Sequence, residues 1–143
     1  MSAEVISGKD MATSIRQEVK ERIAALKESG LTPGLAVVLV GEDPASQAYV
    51  WMKNKDATEV GIHSRQITLP EETSEEELLG VVAGLNADPD MHGVLVQLPL
   101  PDQIDEAKVF LAIDPAKDVD GFHPVNVGRL ATGDPDVLIP CTP

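Results

Sequence analysis

The centre of the fold is indicated by Leu35-Ala36-Val37-Val38-Leu39-Val40, an uninterrupted apolar run with a β-branched bias. Hydrophobicity that does not alternate is typical of a strand buried on both faces, as in parallel sheets. Asp43-Pro44 follows and is typical of an N-cap with proline at the first helical position. We therefore expect a buried strand and then a helix that continues to about Val60 and ends at Gly61.

Strands and helices alternate in the same way on both sides of this unit. Further strands are expected at residues 63–69 and 93–98, and the helix between them begins with a capping box at Ser74. Apolar residues at helical spacing predict a helix over 9–29 and a short one over about 105–113. Three strands with helices between them predict a βαβαβ core, and hence a three-layer α/β/α fold with a mainly parallel sheet.

The C-terminal part of the chain has a different pattern. Residues 114–143 contain five prolines and one weak helical stretch near 125–131. Loops of this length are uncommon in compact domains unless they are functional or lack their partner. We expect a loop-rich tail that is functional and that lacks its partner.

Composition narrows the classes of function. The chain has 11 Lys and Arg against 24 Asp and Glu, a net charge of −13. This charge argues against nucleic acid or anionic membrane as a partner, because both are polyanions. A single cysteine excludes an internal disulfide framework and a zinc ribbon. No leader-like or long apolar segment is present, so we expect a soluble, cytoplasmic protein.

The helix expected after Asp43 has three polar side chains on one face, Ser46, Tyr49 and Lys53. A phenol and an ammonium near the carboxyl end of a strand suit acid–base chemistry. By spacing alone, an ordinary amphipathic helix with a surface lysine and a half-buried tyrosine is the favoured interpretation. The same Tyr-x-x-x-Lys spacing occurs in short-chain dehydrogenases, but no glycine-rich dinucleotide fingerprint precedes it here.

Other polar residues have more than one interpretation. Gln97 ends an apolar strand, where its amide either bonds loop backbone or faces a ligand pocket, and the sequence favours neither. Lys117-Asp118-Val119-Asp120-Gly121 is expected to be a turn, because an EF-hand would need ligands at Ala116 and Val127. The three scattered histidines and Cys141 are interpreted as structural, so no metal site is expected.

Four motifs together are more specific than any one of them. In chain order they are Asp43-Pro44-Ala45-Ser46-Gln47-Ala48-Tyr49-Val50 with Lys53, His92-Gly93-Val94-Leu95-Val96-Gln97-Leu98-Pro99-Leu100-Pro101, Lys117-Asp118-Val119-Asp120-Gly121-Phe122, and Pro140-Cys141-Thr142-Pro143. From about residue 3 to residue 143, the chain closely resembles the bifunctional methylenetetrahydrofolate dehydrogenase/methenyltetrahydrofolate cyclohydrolase family. The resemblance implies NADP-dependent oxidation of 5,10-methylenetetrahydrofolate and hydrolysis of the methenyl product to 10-formyltetrahydrofolate, in one cleft.

The resemblance also implies roles for individual residues. Lys53 would be the catalytic lysine that assists proton transfer, and Gln97 would hydrogen-bond it and help to set its protonation. Tyr49, also counted as catalytic, would pack on the folate ring system and order the site. Asp120 would pair with the amino and N–H edge of the pterin, which suits a carboxylate because both of its oxygens accept hydrogen bonds. The other implied substrate-binding residues are Ser46, Pro99, Leu100 and Cys141.

The resemblance covers only the folate-binding half of the family. Family members would continue into an NADP-binding Rossmann half, form homodimers, and return a final segment to the first domain. We therefore expect no cofactor-binding residues and no hydride transfer in this chain alone, weakened folate binding, and exposed helix faces. Two alternatives stay open: a non-catalytic folate-binding or interaction module and, remotely, a short-chain dehydrogenase fragment that rests on Tyr49 and Lys53.

Overall fold

A computed structural model describes residues 6–140, with a three-stranded parallel sheet at the centre. The strands are β1 (Gly34–Val40), β2 (His63–Leu69) and β3 (Gly93–Val96), in the spatial order β2-β1-β3. β1 pairs with β2 along its whole length and with β3 from Leu35 to Val38. Both edges of β1 are therefore paired. Its residues 36–39 are at most 1% exposed, as expected of a strand that is buried on both faces. The parallel sheet expected from the sequence is confirmed.

Helices lie on both faces of this sheet and make the three-layer arrangement. They are α1 (Gly8–Glu28), α2 (Pro44–Val60), α3 (Glu75–Ala87), α4 (Glu106–Ala112) and α5 (Pro124–Ala131). On one face, Val38 packs with Leu78 of α3 and Val109 of α4 in an aliphatic core. On the other face, Val50 of α2 packs against the sheet. The α/β fold class is confirmed.

The ends of the helices follow the local signals in the sequence. The Asp43 carboxylate accepts a hydrogen bond from Ser46 N at 2.7 Å and caps α2. Gly61 ends the same helix at φ 99°, a left-handed conformation that glycine adopts without a steric penalty. Ser74 and Glu77 form the predicted capping box of α3. The boundaries of α2 thus come from residues immediately before and after it.

β3 is shorter than the sequence predicts. The expected strand continues to Leu98, whereas β3 ends at Val96. Gln97 N still donates to Val38 O at 2.8 Å, and the chain then turns away through a cis peptide bond between Leu98 and Pro99. Proline has no N–H and restricts the residue before it, so the strand cannot extend through this pair.

The apolar side of α1 is largely uncovered in the described part of the chain. The helix forms as its periodicity predicts, but Ile23 is its buried residue, while Met11, Ile15 and Leu26 are exposed. α1 packs against α2. Its amphipathic pattern therefore identifies a helix without identifying a filled core.

The segment after α4 is a loop that attaches to the edge of the sheet. Val94 N donates to Lys117 O at 2.8 Å, and Asp118 forms a parallel bridge with Val94. Lys117 Nζ donates to the carbonyls of Leu85, Asn86 and Asp88 at the end of α3, at 2.7–3.1 Å. The expected weak helix after this turn is α5.

None of the helices described between residues 6 and 140 is both long and apolar enough to span a membrane.

Candidate functional site

The site lies at the carboxyl ends of β1 and β3, where α2 begins. Val50 is fully buried against the sheet, so the rotation of α2 about its axis is fixed. That rotation turns Lys53 towards the loop that follows β3. Lys53 Nζ donates a hydrogen bond to Gln97 Oε1 at 3.1 Å. Two side chains 44 residues apart in the sequence are thereby joined at the ligand-binding edge of a parallel sheet.

The Gln97 amide uses both of its ends. Its oxygen accepts from Lys53, and its nitrogen donates to Leu98 O at 2.7 Å. The sequence left open whether this amide bonds loop backbone or takes part in a site. The structure shows that the amide bonds the loop backbone at Leu98 and also contacts Lys53, so its orientation is fixed from both ends.

Asp120 lies within reach of the Lys53 charge. Burial raises the pKa of the Asp120 carboxyl above its ordinary value. The nearby positive charge of Lys53 acts in the opposite direction, and the negative charge of Asp118 adds to the increase. Lys53, Gln97 and Asp120 thus place an amine, an amide and a partly desolvated carboxyl group together, which is a set that can exchange protons and orient a polar ring.

The remaining predicted site residues have different surroundings. Ser46 is buried, and its hydroxyl lies 3.5 Å from Leu98 O, so it links α2 to the loop after β3. Tyr49 is 57% exposed, which leaves its ring face available for stacking. Pro99 and Leu100 line an open surface cleft together with Gly41, Glu42, Asp43 and Glu71. Cys141 lies outside the described residues.

Asp118 is a buried carboxylate that organises the loop containing Asp120. From the sequence, it is expected only to be part of a turn. Asp118 accepts hydrogen bonds from Gly121 N at 3.1 Å, His123 N at 2.8 Å and Asn126 Nδ2 at 2.9 Å. The Asp-x-x-Gly spacing is a signal for the first of these contacts. Nothing in the local sequence points to the Asn126 contact, because it joins the loop to α5.

The histidine and metal expectations can be compared with the described residues. His123 caps α5, since its Nδ1 accepts from Val125 N at 3.1 Å. His92 Nδ1 accepts from Gly34 N at 3.0 Å and so joins the amino ends of β1 and β3. Between residues 6 and 140, no three His, Cys, Asp or Glu side chains are grouped so that they could hold a metal ion.

Comparison with known families gives one match over most of the chain. Residues 6–120 match the family described as "Tetrahydrofolate dehydrogenase/cyclohydrolase, catalytic domain". The chain is 58% identical to the bifunctional protein FolD of Exiguobacterium sibiricum, over 99% of this chain and 50% of that protein. It is 55% identical to the FolD protein of Halalkalibacterium halodurans, over 100% of this chain and 51% of that protein.

Solved structures also superpose closely on this chain. The methylenetetrahydrofolate dehydrogenase/cyclohydrolase FolD of Campylobacter jejuni superposes with a TM-score of 0.92 at 46% identity, over 94% of this chain and 48% of that one. The corresponding enzyme of Trypanosoma brucei, solved with NADP cofactor and inhibitor, gives a TM-score of 0.92 at 36% identity, over 99% and 49%. The chain spans about half the length of the relatives that it matches.

Proposed function

The chain belongs to the tetrahydrofolate dehydrogenase/cyclohydrolase family, and we propose that it is the folate-binding half of a bifunctional enzyme of one-carbon metabolism. The whole enzyme would oxidise 5,10-methylenetetrahydrofolate to the methenyl cation and hydrolyse that cation to 10-formyltetrahydrofolate. The observation that carries the proposal is the Lys53–Gln97 hydrogen bond, with Asp120 beside it, at the carboxyl edge of the sheet.

Hydrolysis of the methenyl cation requires two proton movements. Water bonds to the cationic carbon and loses one proton to solvent, and its second proton passes from the hydroxyl of this adduct to one ring nitrogen when the bond between that nitrogen and the carbon breaks. The sum of these steps releases one proton. Lys53 is the group proposed to accept and return a proton at its Nζ atom. Gln97 Oε1 accepts one N–H of Lys53 and so fixes the position of Nζ.

Binding of the substrate would use the opposite side of the site. A pterin presents an amino group and a ring N–H side by side, and the two oxygens of the Asp120 carboxylate can accept both. Burial makes this pairing selective, because a partly desolvated carboxylate gains more from two N–H donors than one in water does. The exposed Tyr49 ring would stack on the folate ring system, and Pro99 and Leu100 would form a wall.

The dehydrogenase step requires a hydride acceptor, which we propose to be NADP. The amino-acid sequence contains no G-x-G-x-x-G fingerprint, so this chain does not fit the nucleotide and we derive no step of the hydride transfer. We assign NADP to the part of the relatives that lies beyond the matched half. We further propose that the whole enzyme is a cytoplasmic homodimer and that residues 3–143 form its folate-binding domain.

Hydrolysis of methenyltetrahydrofolate, followed by absorbance without nucleotide, tests the proposal. The variants are Lys53→Met and the matched control Lys55→Met. Lys55 is on the same helix but lies 5.3 Å from the Trp51 ring centroid, and it is exposed. We expect the unmodified chain and Lys55→Met to hydrolyse the substrate faster than buffer does, and Lys53→Met to give the buffer rate.

Two results would contradict this function. If Lys53→Met keeps the full enzymatic rate, Lys53 is not the proton-transfer group. If tetrahydrofolate gives no calorimetric binding signal, also with a chain extended to the full length of its relatives, the folate site is wrong. Binding without hydrolysis would favour the non-catalytic binding module.

The exposed apolar residues of α1 favour one second candidate, an interaction module. Met11, Ile15 and Leu26 form an apolar side that nothing in the described residues covers. Such a surface is typical of a contact with another protein surface. Sedimentation that shows a monomer at high concentration would count against this candidate.

A further inference from the structure

A buried polar pair, Asn126 and Asp118, connects α5 to the loop that contains Asp120. Asn126 is 2% exposed and Asp118 is 3% exposed. Asn126 Nδ2 donates to Asp118 Oδ2 at 2.9 Å and to Pro115 O at 2.9 Å. Both hydrogens of the Asn126 amide are therefore used, on two points of the same loop.

The loop closes around the Asp118 carboxylate. Asp118 Oδ1 accepts from Gly121 N at 3.1 Å, and Oδ2 accepts from His123 N at 2.8 Å. Asp120 lies between Asp118 and Gly121 in the chain, so the hydrogen bond between these two residues holds its backbone from both sides. The bridge between Asp118 and Val94 fixes the beginning of the same loop to β3.

Asn126 has a specific part in this arrangement. Asp118 is a buried carboxylate whose partners are three N–H groups. Within residues 6–140, it forms no salt bridge with a basic side chain. A buried charge is tolerated when its lone pairs are filled by hydrogen bonds. Without Asn126, Oδ2 would keep only His123 N, and the carboxylate would rotate towards water. The loop around it would then lose its single conformation.

We propose that Asn126 is a positioning residue that, through Asp118, holds Asp120 beside Lys53. The proposal deepens the folate-binding function and rests on it for its consequence in substrate binding. The positioning of Asp120 by Asn126 does not itself depend on a ligand. Asn126 does not itself reach the site; it acts by fixing the loop on which Asp120 lies.

A ligand-free measurement tests this arrangement. Carboxyl ¹³C NMR follows the titration of Asp120 in four proteins: the chain and its Asn126→Leu variant, each with and without Lys53→Met. Beside burial, the attractive charge of Lys53 and the repulsive charge of Asp118 act on the pKa of Asp120. In the unmodified background, Lys53→Met should raise the Asp120 midpoint, because an attractive charge is lost. In Asn126→Leu that increase should shrink.

Asn86→Leu is the matched control. Asn86 also fixes the tail, since its side-chain amide donates to Ala112 O at 2.7 Å and accepts from Asp114 N at 3.0 Å, but these side-chain bonds do not involve Asp118. Its backbone carbonyl, which accepts from Lys117 Nζ, is kept in the variant. It should lower stability and keep the full Lys53–Asp120 interaction. If Asn126→Leu does not fold, Asn126→Ser replaces it, because serine keeps one shorter donor.

Each outcome decides the proposal. A weakened Lys53–Asp120 interaction in Asn126→Leu or Asn126→Ser, with the interaction kept in Asn86→Leu, supports positioning. An unchanged interaction in the Asn126 variants, or an equal loss in Asn86→Leu, overturns it. Tetrahydrofolate affinity should fall about tenfold in Asn126→Leu, the effect of one lost hydrogen bond. If neither the unmodified chain nor a chain extended to the full length of its relatives binds tetrahydrofolate, the proposed function fails, while the NMR result still decides the role of Asn126.

Discussion

Lys53 and Asp120 belong to two parts of the proposed site, the α2 side and the Asp118 side, and the chain holds them by different interactions. Lys53 is on α2, whose Val50 packs against Val37 and Leu39 in an apolar layer. Asp120 is on a loop whose fixed points are the polar side chains of Asp118 and Asn126. One side depends on excluded apolar surface, and the other depends on directional hydrogen bonds.

The difference determines how each side tolerates substitution. Apolar burial is non-directional and scales with the area removed from water, so a change in volume is what costs stability. A buried hydrogen-bond network responds to a change of a single donor or acceptor at constant volume, because the partner groups stay buried and unpaired. Volume changes should therefore affect the α2 side most, and isosteric polar changes the Asp118 side.

The largest effect is expected for Leu39→Ala, beneath α2. Leu39 is 1% exposed, and its truncation should lower the free energy of unfolding by about 3 kcal/mol through lost burial and a residual cavity. Urea denaturation measures this change. Leu111→Ala is the matched control, because Leu111 is 59% exposed and its truncation should change stability by less than about 0.5 kcal/mol. Equal losses would mean that the apolar layer under α2 is not a packed core.

The next effect is expected for Asp118→Asn, a change with almost no difference in volume. The new NH₂ group would face the N–H donors of Gly121, His123 or Asn126, and one acceptor oxygen would be lost. We expect a loss of about 2 kcal/mol, measured by urea denaturation. A loss below about 0.5 kcal/mol would show that water replaces the carboxylate, and the contrast between the two sides would disappear.

A smaller effect is expected for Lys117→Met, which keeps the length of the side chain and removes its charge. The Lys117 ammonium donates to three carbonyls at the end of α3, where free carbonyls and the helix dipole favour a cation. We expect a loss of about 1 kcal/mol in thermal unfolding. Lys108→Met, which breaks an exposed pair with Glu75, should change much less. An equal response would mean that Lys117 acts only as a surface charge.

The sequence predicts the α2 side better than the Asp118 side for the same physical reason. Apolar residues recur with the period of their element, so β1, α2 and the position of Lys53 on its helix can be recognised from the sequence. The cap at Asp43 is also local. The pairing of Asp118 with Asn126 has no period, because it depends on how α5 folds back on the loop. A turn can therefore be recognised there from the sequence, but the buried Asp118–Asn126 pair cannot.

Periodicity also has a limit on the apolar side. The apolar face of α1 has the same spacing as that of a core helix, yet Met11 and Ile15 are exposed. Spacing shows which face would be buried and says nothing of what covers it. Similarly, the apolar run that contains β3 continues to Leu98, but the strand ends at Val96 because Pro99 cannot continue the ladder.

The smallest effect concerns a polar contact on the α2 side, the Asp43 cap. The hydrogen bond from Ser46 N lowers the pKa of the exposed Asp43 carboxyl below its ordinary value. A carboxyl whose pKa is lower in the folded state contributes stability above its unfolded pKa, and this contribution is lost as the pH falls below about 4. Asp43→Asn keeps a capping side chain and removes the titration.

We therefore expect the stability of the unmodified chain and of Asp43→Asn to differ most near neutral pH and to converge in acid. Urea denaturation at a series of pH values measures the difference between the two proteins, which removes the contributions of Glu75, Glu77 and Asp134, whose pKa values are also lowered. Parallel curves would mean that the Asp43 charge does not contribute to the cap. Convergence would show that the charge of an exposed carboxylate contributes to the cap of α2, and this contribution can then be compared with the loss measured for the buried Asp118.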